Sequence, residues 1–298
     1  MAPGIVTDRR SNLLGSLWMI ASMAGFAAED SLLKLAAQTL PIGQMLIIFG
    51  IAGALVFAAI ALAGGARLFT PDVLSRPMRV RMLFEVGGRL FYVLALALIP
   101  LSTATVILQA TPLVVVGAAA IVFGERVGWR RWTAICTGLI GVVIIIQPGA
   151  TGFSALSILA VIGMLGFAGR DLASRAAPPS LSAPVLGFYG FIAIIIAGVI
   201  YAAWQGAPFV MPDTRALLFL CGAVLTGVTA YTCLMKAMRT GEVSAVTPFR
   251  YTRLLFGIGL GVLAFGEKLT PAMLIGSGLI VISGLIILWR GKQVAHQR

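Results

Sequence analysis

A chain of 298 residues with 59% hydrophobic and only 11% charged residues, and a mean hydropathy of +1.02, is not a soluble globular domain; such domains carry roughly a quarter charged residues. The net charge of +12 raises nucleic acid as a partner, but the Lys and Arg residues form short clusters at the ends of apolar runs and no stripe, so no nucleic acid is expected. The three cysteines have no CxxC spacing and the single histidine lies in the C-terminal tail, which leaves nothing for a disulfide framework, a metal site or histidine catalysis; no cofactor is expected.

Taken in chain order, ten apolar segments predict ten membrane-spanning helices at 12–36, 41–63, 82–99, 102–123, 129–147, 154–174, 182–204, 214–235, 243–265 and 270–289. Each has about the 20 residues that cross a hydrocarbon core. Thr39-Leu40-Pro41, Ile99-Pro100, Gln147-Pro148-Gly149, Pro178-Pro179 and Thr240-Gly241 break the helices between them. The first segment has the flanks of a signal peptide, but it has a counterpart at the sixth segment and reads as a span. The fold class expected is all-α: a polytopic membrane protein embedded in the lipid bilayer.

The Lys/Arg distribution orients these spans. With both termini cytoplasmic, sixteen basic residues, Arg81, Arg170 and Arg175 among them, collect on the cytoplasmic side, against Lys34, Arg215 and Lys268 on the other. A bacterial-type inner membrane is the expected location.

The chain also repeats itself. Gly25-Phe26-Ala27, Asp30 and Lys34 return 141 residues later as Gly166-Phe167-Ala168, Asp171 and Arg175. Phe123-Gly124-Glu125-Arg126 returns 142 residues later as Phe265-Gly266-Glu267-Lys268. Residues 1–148 and 149–298 therefore read as two five-helix repeats. An odd number of spans in each turns one upside down relative to the other, around a central cavity, which is the build of a secondary transporter.

Several charged and polar residues stay inside the expected spans. Arg89 lies mid-way along the third, and Arg250 and Arg253 lie in the ninth. An arginine near a helix centre costs about 2.5–3.5 kcal/mol on insertion scales, so it faces a bundle interior or a wet cavity. Arg89, Arg250 and Arg253 then line the cavity and attract a carboxylate or phosphate; the other reading pairs Arg89 with Glu85 and lets Arg250 reach the cytoplasmic surface. Asp30 with Lys34, and Asp171 with Arg175, can each meet across one helical turn. Inverted topology sends the two pairs to opposite mouths, where, with Glu29, they are candidate gating groups or interfacial anchors. The Glu125-Arg126 and Glu267-Lys268 pairs separate in the same way.

Pro112 and Pro248 each remove a backbone hydrogen bond inside a span, freeing a carbonyl for a neighbour, water or substrate. Gln109, Thr111, Thr247 and Tyr251 lie around these breaks, and Tyr92, Tyr231, Trp18 and Met164 are candidate walls; all are candidate substrate-binding residues. Aromatic residues and methionines inside spans are also ordinary packing.

The stretch GFAAEDSLLK, the segment PLSTATVILQATPLVVVGAAAIVFGERVGWRRW and the late segment VTPFRYTRLLFGIGLGVLAFGEKLTPAMLIGSGLIVISGLIILWR resemble the ten-span drug/metabolite transporter superfamily, in its EamA-like branch. The resemblance runs from about residue 12 to 290. It implies a central cavity formed by spans 1–4 and 6–9, with spans 5 and 10 outside as support. It also implies carriage of small molecules such as amino acids, nucleotide-type metabolites, sugars or drugs. Export of amino acids, aromatic or broad-range, is the leading expectation. Import or exchange of an anionic nucleotide-like metabolite is the alternative, and an integral membrane enzyme acting on lipids a remote one. The acidic residues are few and scattered, so no enzyme is expected. Monomer and homodimer both stay open.

Overall fold

The computed structural model describes residues 9–122, 128–147, 155–178, 180–240 and 246–295. Among them are eleven α-helices: α1 (Arg9–Ala36), α2 (Ile42–Ala63), α3 (Arg76–Leu98), α4 (Leu101–Leu108), α5 (Thr111–Val122), α6 (Trp129–Ile146), α7 (Ser157–Arg175), α8 (Ala183–Gln205), α9 (Thr214–Thr240), α10 (Thr252–Phe265) and α11 (Pro271–Ala295). Two 3-10 turns, Pro71–Leu74 and Thr247–Tyr251, precede α3 and α10. Helices α1, α2, α7, α8 and α9, and α4 with α5 taken together, are long and apolar enough to cross a membrane on length and composition alone. Helix α3 has the length but carries Arg76, Arg79, Arg81, Glu85 and Arg89. Apolar segments of α6 and α11, with α10 and its leading turn, complete the ten spans.

The fourth span is not one continuous helix. A helix through Pro112 would need an N–H that proline lacks, directed at the Leu108 carbonyl, and its ring would clash there. The chain turns at Gln109 and Ala110, and the Thr111 hydroxyl donates to the Leu108 carbonyl in place of the missing bond. In the ninth span Pro248 lies in the 3-10 turn, and Thr252 donates its hydroxyl to the Phe249 carbonyl at 2.7 Å. The two breaks touch: Gln109 Nε2 donates to the Arg250 carbonyl at 2.9 Å.

The most extensive helix contacts all join a helix of the first half to one of the second. They are α1 with α9, α2 with α8, α3 with α7, and α6 with α11; α10 packs on both α1 and α4. Numbered as spans, the four are 1 with 8, 2 with 7, 3 with 6 and 5 with 10. Exchanging the halves maps this set of pairings onto itself.

The repeated glycines explain two of the contacts. A Cβ on Gly25 would stand 2.8 Å from Ala230 Cβ on α9, and one on Gly166 would stand 2.5 Å from Gly88 Cα on α3. Without side chains these helices approach backbone to backbone, as small residues allow in membranes. Leu83, Leu255 and Leu263 are exposed on the outside of the bundle, where lipid solvates them. Ten crossings bring the start of α1 and the end of α11 to the same face; the Lys34 and Glu267 ends of α1 and α10 lie at the opposite, far face.

Candidate functional site: a buried ion-pair network

The crossing of α1, α3, α7 and α10 holds four guanidiniums and four carboxylates in two adjoining sets: Arg81, Arg89 and Arg170 with Glu29, Glu85 and Asp171, and beside them the pair of Arg253 with Asp30. Charge in hydrocarbon is tolerable only when paired, and here the two signs cancel. Glu85 is the hub. Its carboxylate meets Arg170 Nη1 at 3.1 Å, Arg81 Nη2 at 3.3 Å and Arg89 Nε at 3.7 Å. Arg89 reaches from Glu85 to α1, where its Nη1 donates to Glu29 at 3.4 Å. The next residue on α1, Asp30, accepts from Tyr92 Oη at 3.0 Å and from Arg253 Nη2. Arg170 also binds Asp171, its own neighbour, at 2.8 Å.

Aromatic faces lie against the same cations. Arg253 sits 5.3 Å from the Phe26 ring centre, and Phe167 has Arg170 at 4.8 Å and Arg89 at 5.6 Å. Phe26 and Phe167 are the two copies of the repeated phenylalanine. The ring quadrupole attracts a desolvated guanidinium, so each ring supports the network without adding charge.

At the far face a second polar cluster uses helix ends in place of counter-ions. Lys34 Nζ donates to the Leu96 carbonyl at 2.7 Å and to the Ile99 carbonyl, where α3 ends. The Glu267 carboxylate accepts from the Leu101 N–H, from the Ser102 N–H at 3.0 Å and from the Ser102 hydroxyl, where α4 begins. Cations suit the carbonyl end of a helix and anions the N–H end. Pro100 separates α3 from α4, so the two charges hold both sides of one helix break.

This geometry corrects several expectations. Asp30 does not pair with Lys34; it turns to Arg253 and Tyr92, while Lys34 turns to the end of α3. Asp171 pairs with Arg170, and the side chain of Arg175 lies outside the described ones. Arg81 and Arg170, counted from sequence as orienting charges, are network members, and Arg81 is buried. Arg89 combines both readings made for it, contacting Glu85 and Glu29 together. Glu267 caps a helix across the halves, and Glu125-Arg126 falls outside the described residues.

The polar candidates at the helix breaks spend their bonds on backbone: Gln109 on Arg250, and Thr111 on Leu108. The hydroxyl of Tyr251 is buried without a hydrogen-bond partner among the described residues. Tyr231 donates to the Ala183 carbonyl at 3.4 Å and lays its ring edge-on to Phe57. Trp18 lies under Lys236 Nζ, 4.6 Å from its ring centre. Met164 and Tyr92 are fully buried in one packed cluster. The side chains of Thr247 and Pro248 lie outside the described ones. Sequence reasoning missed Phe26 and Phe167 as cation supports and Arg81 and Arg170 as network members. The signal for the phenylalanines was present, since both stand in the repeated Gly-Phe-Ala.

A polytopic helical bundle that holds balanced charges between its two halves has the build of a membrane carrier. The chain belongs to the EamA-like transporter family, which matches it twice, over residues 13–147 and 155–289. It is similar to an S-adenosylmethionine uptake transporter of Rickettsia bellii, 25% identical over 96% of this chain and 97% of that one. A riboflavin transporter of Vibrio cholerae is 26% identical over 96% and 97% of the two chains. A pseudopaline exporter of Pseudomonas aeruginosa is 27% identical over 95% and 99%. A protein of known crystal structure shares the fold with a TM-score of 0.60, at 21% identity, over 97% of this chain and 99% of its own. The relatives are named as transporters of different compounds and in both directions, so family membership defines carriage and leaves the cargo to the site.

Proposed function

We propose that this protein is a secondary transporter that moves small polar metabolites by alternating access, with amino acids and related compounds as cargo and export as the direction. The observation that carries this reading is the charge-balanced network at the crossing of α1, α3, α7 and α10. Its members come from both halves and can re-pair when the halves rock. In this reading the repeats are residues 1–148 and 149–298, inverted relative to one another, and the protein lies in a bacterial-type inner membrane with both termini cytoplasmic. Lys34 and Glu267 then close the outer mouth.

The carboxylates argue against a purely anionic cargo. Arg89 and Arg253 would suit a nucleotide-like anion, but Glu29, Asp30 and Glu85 stand beside them and would repel it. On direction the relatives divide: those named for S-adenosylmethionine uptake support import and the one named a pseudopaline exporter supports export, while S-adenosylmethionine is itself a cargo that bears an amino-acid group.

The test is uptake into proteoliposomes holding the purified protein, with labelled amino acids, S-adenosylmethionine, nucleotides and sugars, with and without an imposed pH gradient. Amino-acid flux above that of protein-free vesicles is expected. Flux of a nucleotide with none of any amino acid would overturn the cargo assignment, and flux of nothing in the panel would overturn the reading as a whole.

A further inference from the structure

We propose that Glu29 and Arg253 are the recognition pair for a zwitterionic head group, the ammonium of the substrate taking Glu29 and its carboxylate taking Arg253. The inference rests on the amino-acid reading above and deepens it by assigning which groups exchange partners. Glu29 and Asp30 are consecutive on α1, and each holds one arginine from another helix: Arg89 of α3 and Arg253 of α10. The two contacts thus present two carboxylates and two guanidiniums at one level of the bundle.

What singles out Glu29 and Arg253 is what happens to the partner each would release. If Glu29 turns to an ammonium group, Arg89 keeps Glu85, which already stands 3.7 Å from its Nε. If Arg253 turns to a carboxylate, Asp30 keeps the Tyr92 hydroxyl at 3.0 Å. The opposite choice is worse: a ligand carboxylate on Arg89 would lie beside Glu85 as well as Glu29. Arg253 also has donors to offer. A guanidinium carries five N–H groups in a fork; here only Nη2 binds Asp30, and Nε is buried without a hydrogen-bond partner among the described residues. Its side chain is 15% exposed, against 3% for Glu29, so the base has the more open approach.

The exchange conserves charge. A zwitterion brings one charge of each sign, so the net charge of the site is unchanged; Arg89 keeps Glu85 as counter-ion and Asp30 keeps the Tyr92 hydroxyl as donor. An amine alone would leave Arg253 on Asp30 and crowd a surplus cation among four arginines. An acid alone would add an anion to a site with Glu29 and Asp30 still charged. Losing one charged hydrogen bond in such a site is worth at least about tenfold in affinity.

The experiment is thermal unfolding of the detergent-solubilised full chain with each of the twenty amino acids and with S-adenosylmethionine, followed by the decarboxylated amine and the deaminated acid of whichever compound stabilises it most. This reads binding without requiring transport, so it separates head-group recognition from carriage. The expected result is stabilisation by one or more zwitterions, with both one-charge analogues at least tenfold weaker. Glu29→Gln should narrow the gap between the zwitterion and its deaminated acid, and Arg253→Gln the gap between the zwitterion and its decarboxylated amine. Equal stabilisation by the zwitterion and either analogue, or by none of the panel, overturns the inference. Amino-acid flux in vesicles with equal binding of all three compounds would leave the transport reading standing and sink the head-group assignment alone.

Discussion

The network at the helix crossing and the clasp at the far face are made from the same residue types and hold in different ways. In the network, charged side chains meet charged side chains, and Glu85 serves three arginines together. In the clasp, Lys34 and Glu267 meet helix ends, dipoles of backbone fixed in place by the helices that carry them. An ion pair can change partners without leaving the bundle, whereas separating α1 or α10 from the α3–α4 junction requires breaking the capping contacts. The first arrangement suits recognition and re-pairing; the second suits a contact that is either made or broken.

Removing the hub should have the largest effect. Glu85→Gln leaves Arg81, Arg89 and Arg170 short of a counter-charge, and breaking a buried pair on one side costs about 3–5 kcal/mol. The expected outcome is a marked fall in the unfolding midpoint in detergent, partly restored when Arg81→Gln is added. Full additivity of the two changes would show that the network does not act as a unit.

Helix approach should come next. Gly166→Val places side-chain atoms against the Gly88 backbone and should cost about 1–3 kcal/mol by overpacking, whereas Gly87→Ala, which faces open space, should be neutral or mildly stabilising. Equal effects at the two glycines would mean that α3 and α7 are not held at that contact.

A smaller change is expected at the clasp. Glu267→Gln keeps an acceptor for the Ser102 N–H and loses the charge, a change of about 1 kcal/mol. Its sharper readout is access: a thiol placed by Thr105→Cys, in a chain freed of Cys136, Cys221 and Cys233, should react faster with a membrane-impermeant maleimide once Glu267 is neutral. Thr105 is fully buried next to α10, so unchanged labelling would show that the clasp does not limit opening. The smallest effect belongs to the helix break. Thr111→Ala removes the hydroxyl that replaces the missing backbone bond at Leu108 and should cost about 0.5–1.5 kcal/mol in stability. A midpoint equal to the parent's would mean that the Leu108 carbonyl finds another donor.

Much of the fold was legible because lipid leaves the backbone few options. Apolar segments about 20 residues long must be helices, and the prolines inside two of them marked where those helices break. The repeated Gly-Phe-Ala turned out to have a physical content in both copies: the glycine lets α1 approach α9 and α7 approach α3, and the phenylalanine lies under a guanidinium. The site was legible as a membership and illegible as a set of partners. Arg89 and Arg253 stood out as charges inside spans, but Asp30 and Asp171 were expected at opposite mouths and instead lie at one helix crossing, and the i, i+4 spacing of Asp30 and Lys34 suggested a pair that does not form. Arg81 and Arg170 lie near span ends, where the orientation rule treats Lys and Arg as interfacial.

By itself, then, the amino-acid sequence determined the number of crossings, the two related halves, the places where helices break and the presence of charge that hydrocarbon cannot tolerate alone. Tertiary structure decided which charges meet: Arg253 finds Asp30 across 223 residues of chain, and Arg89 finds Glu29 across 60. The reason is energetic and geometric together. A buried ion takes the counter-ion that packing brings within reach: Arg81 and Arg89 meet Glu85 along α3 itself, whereas Glu29 and Asp30 find theirs only where other helices cross α1.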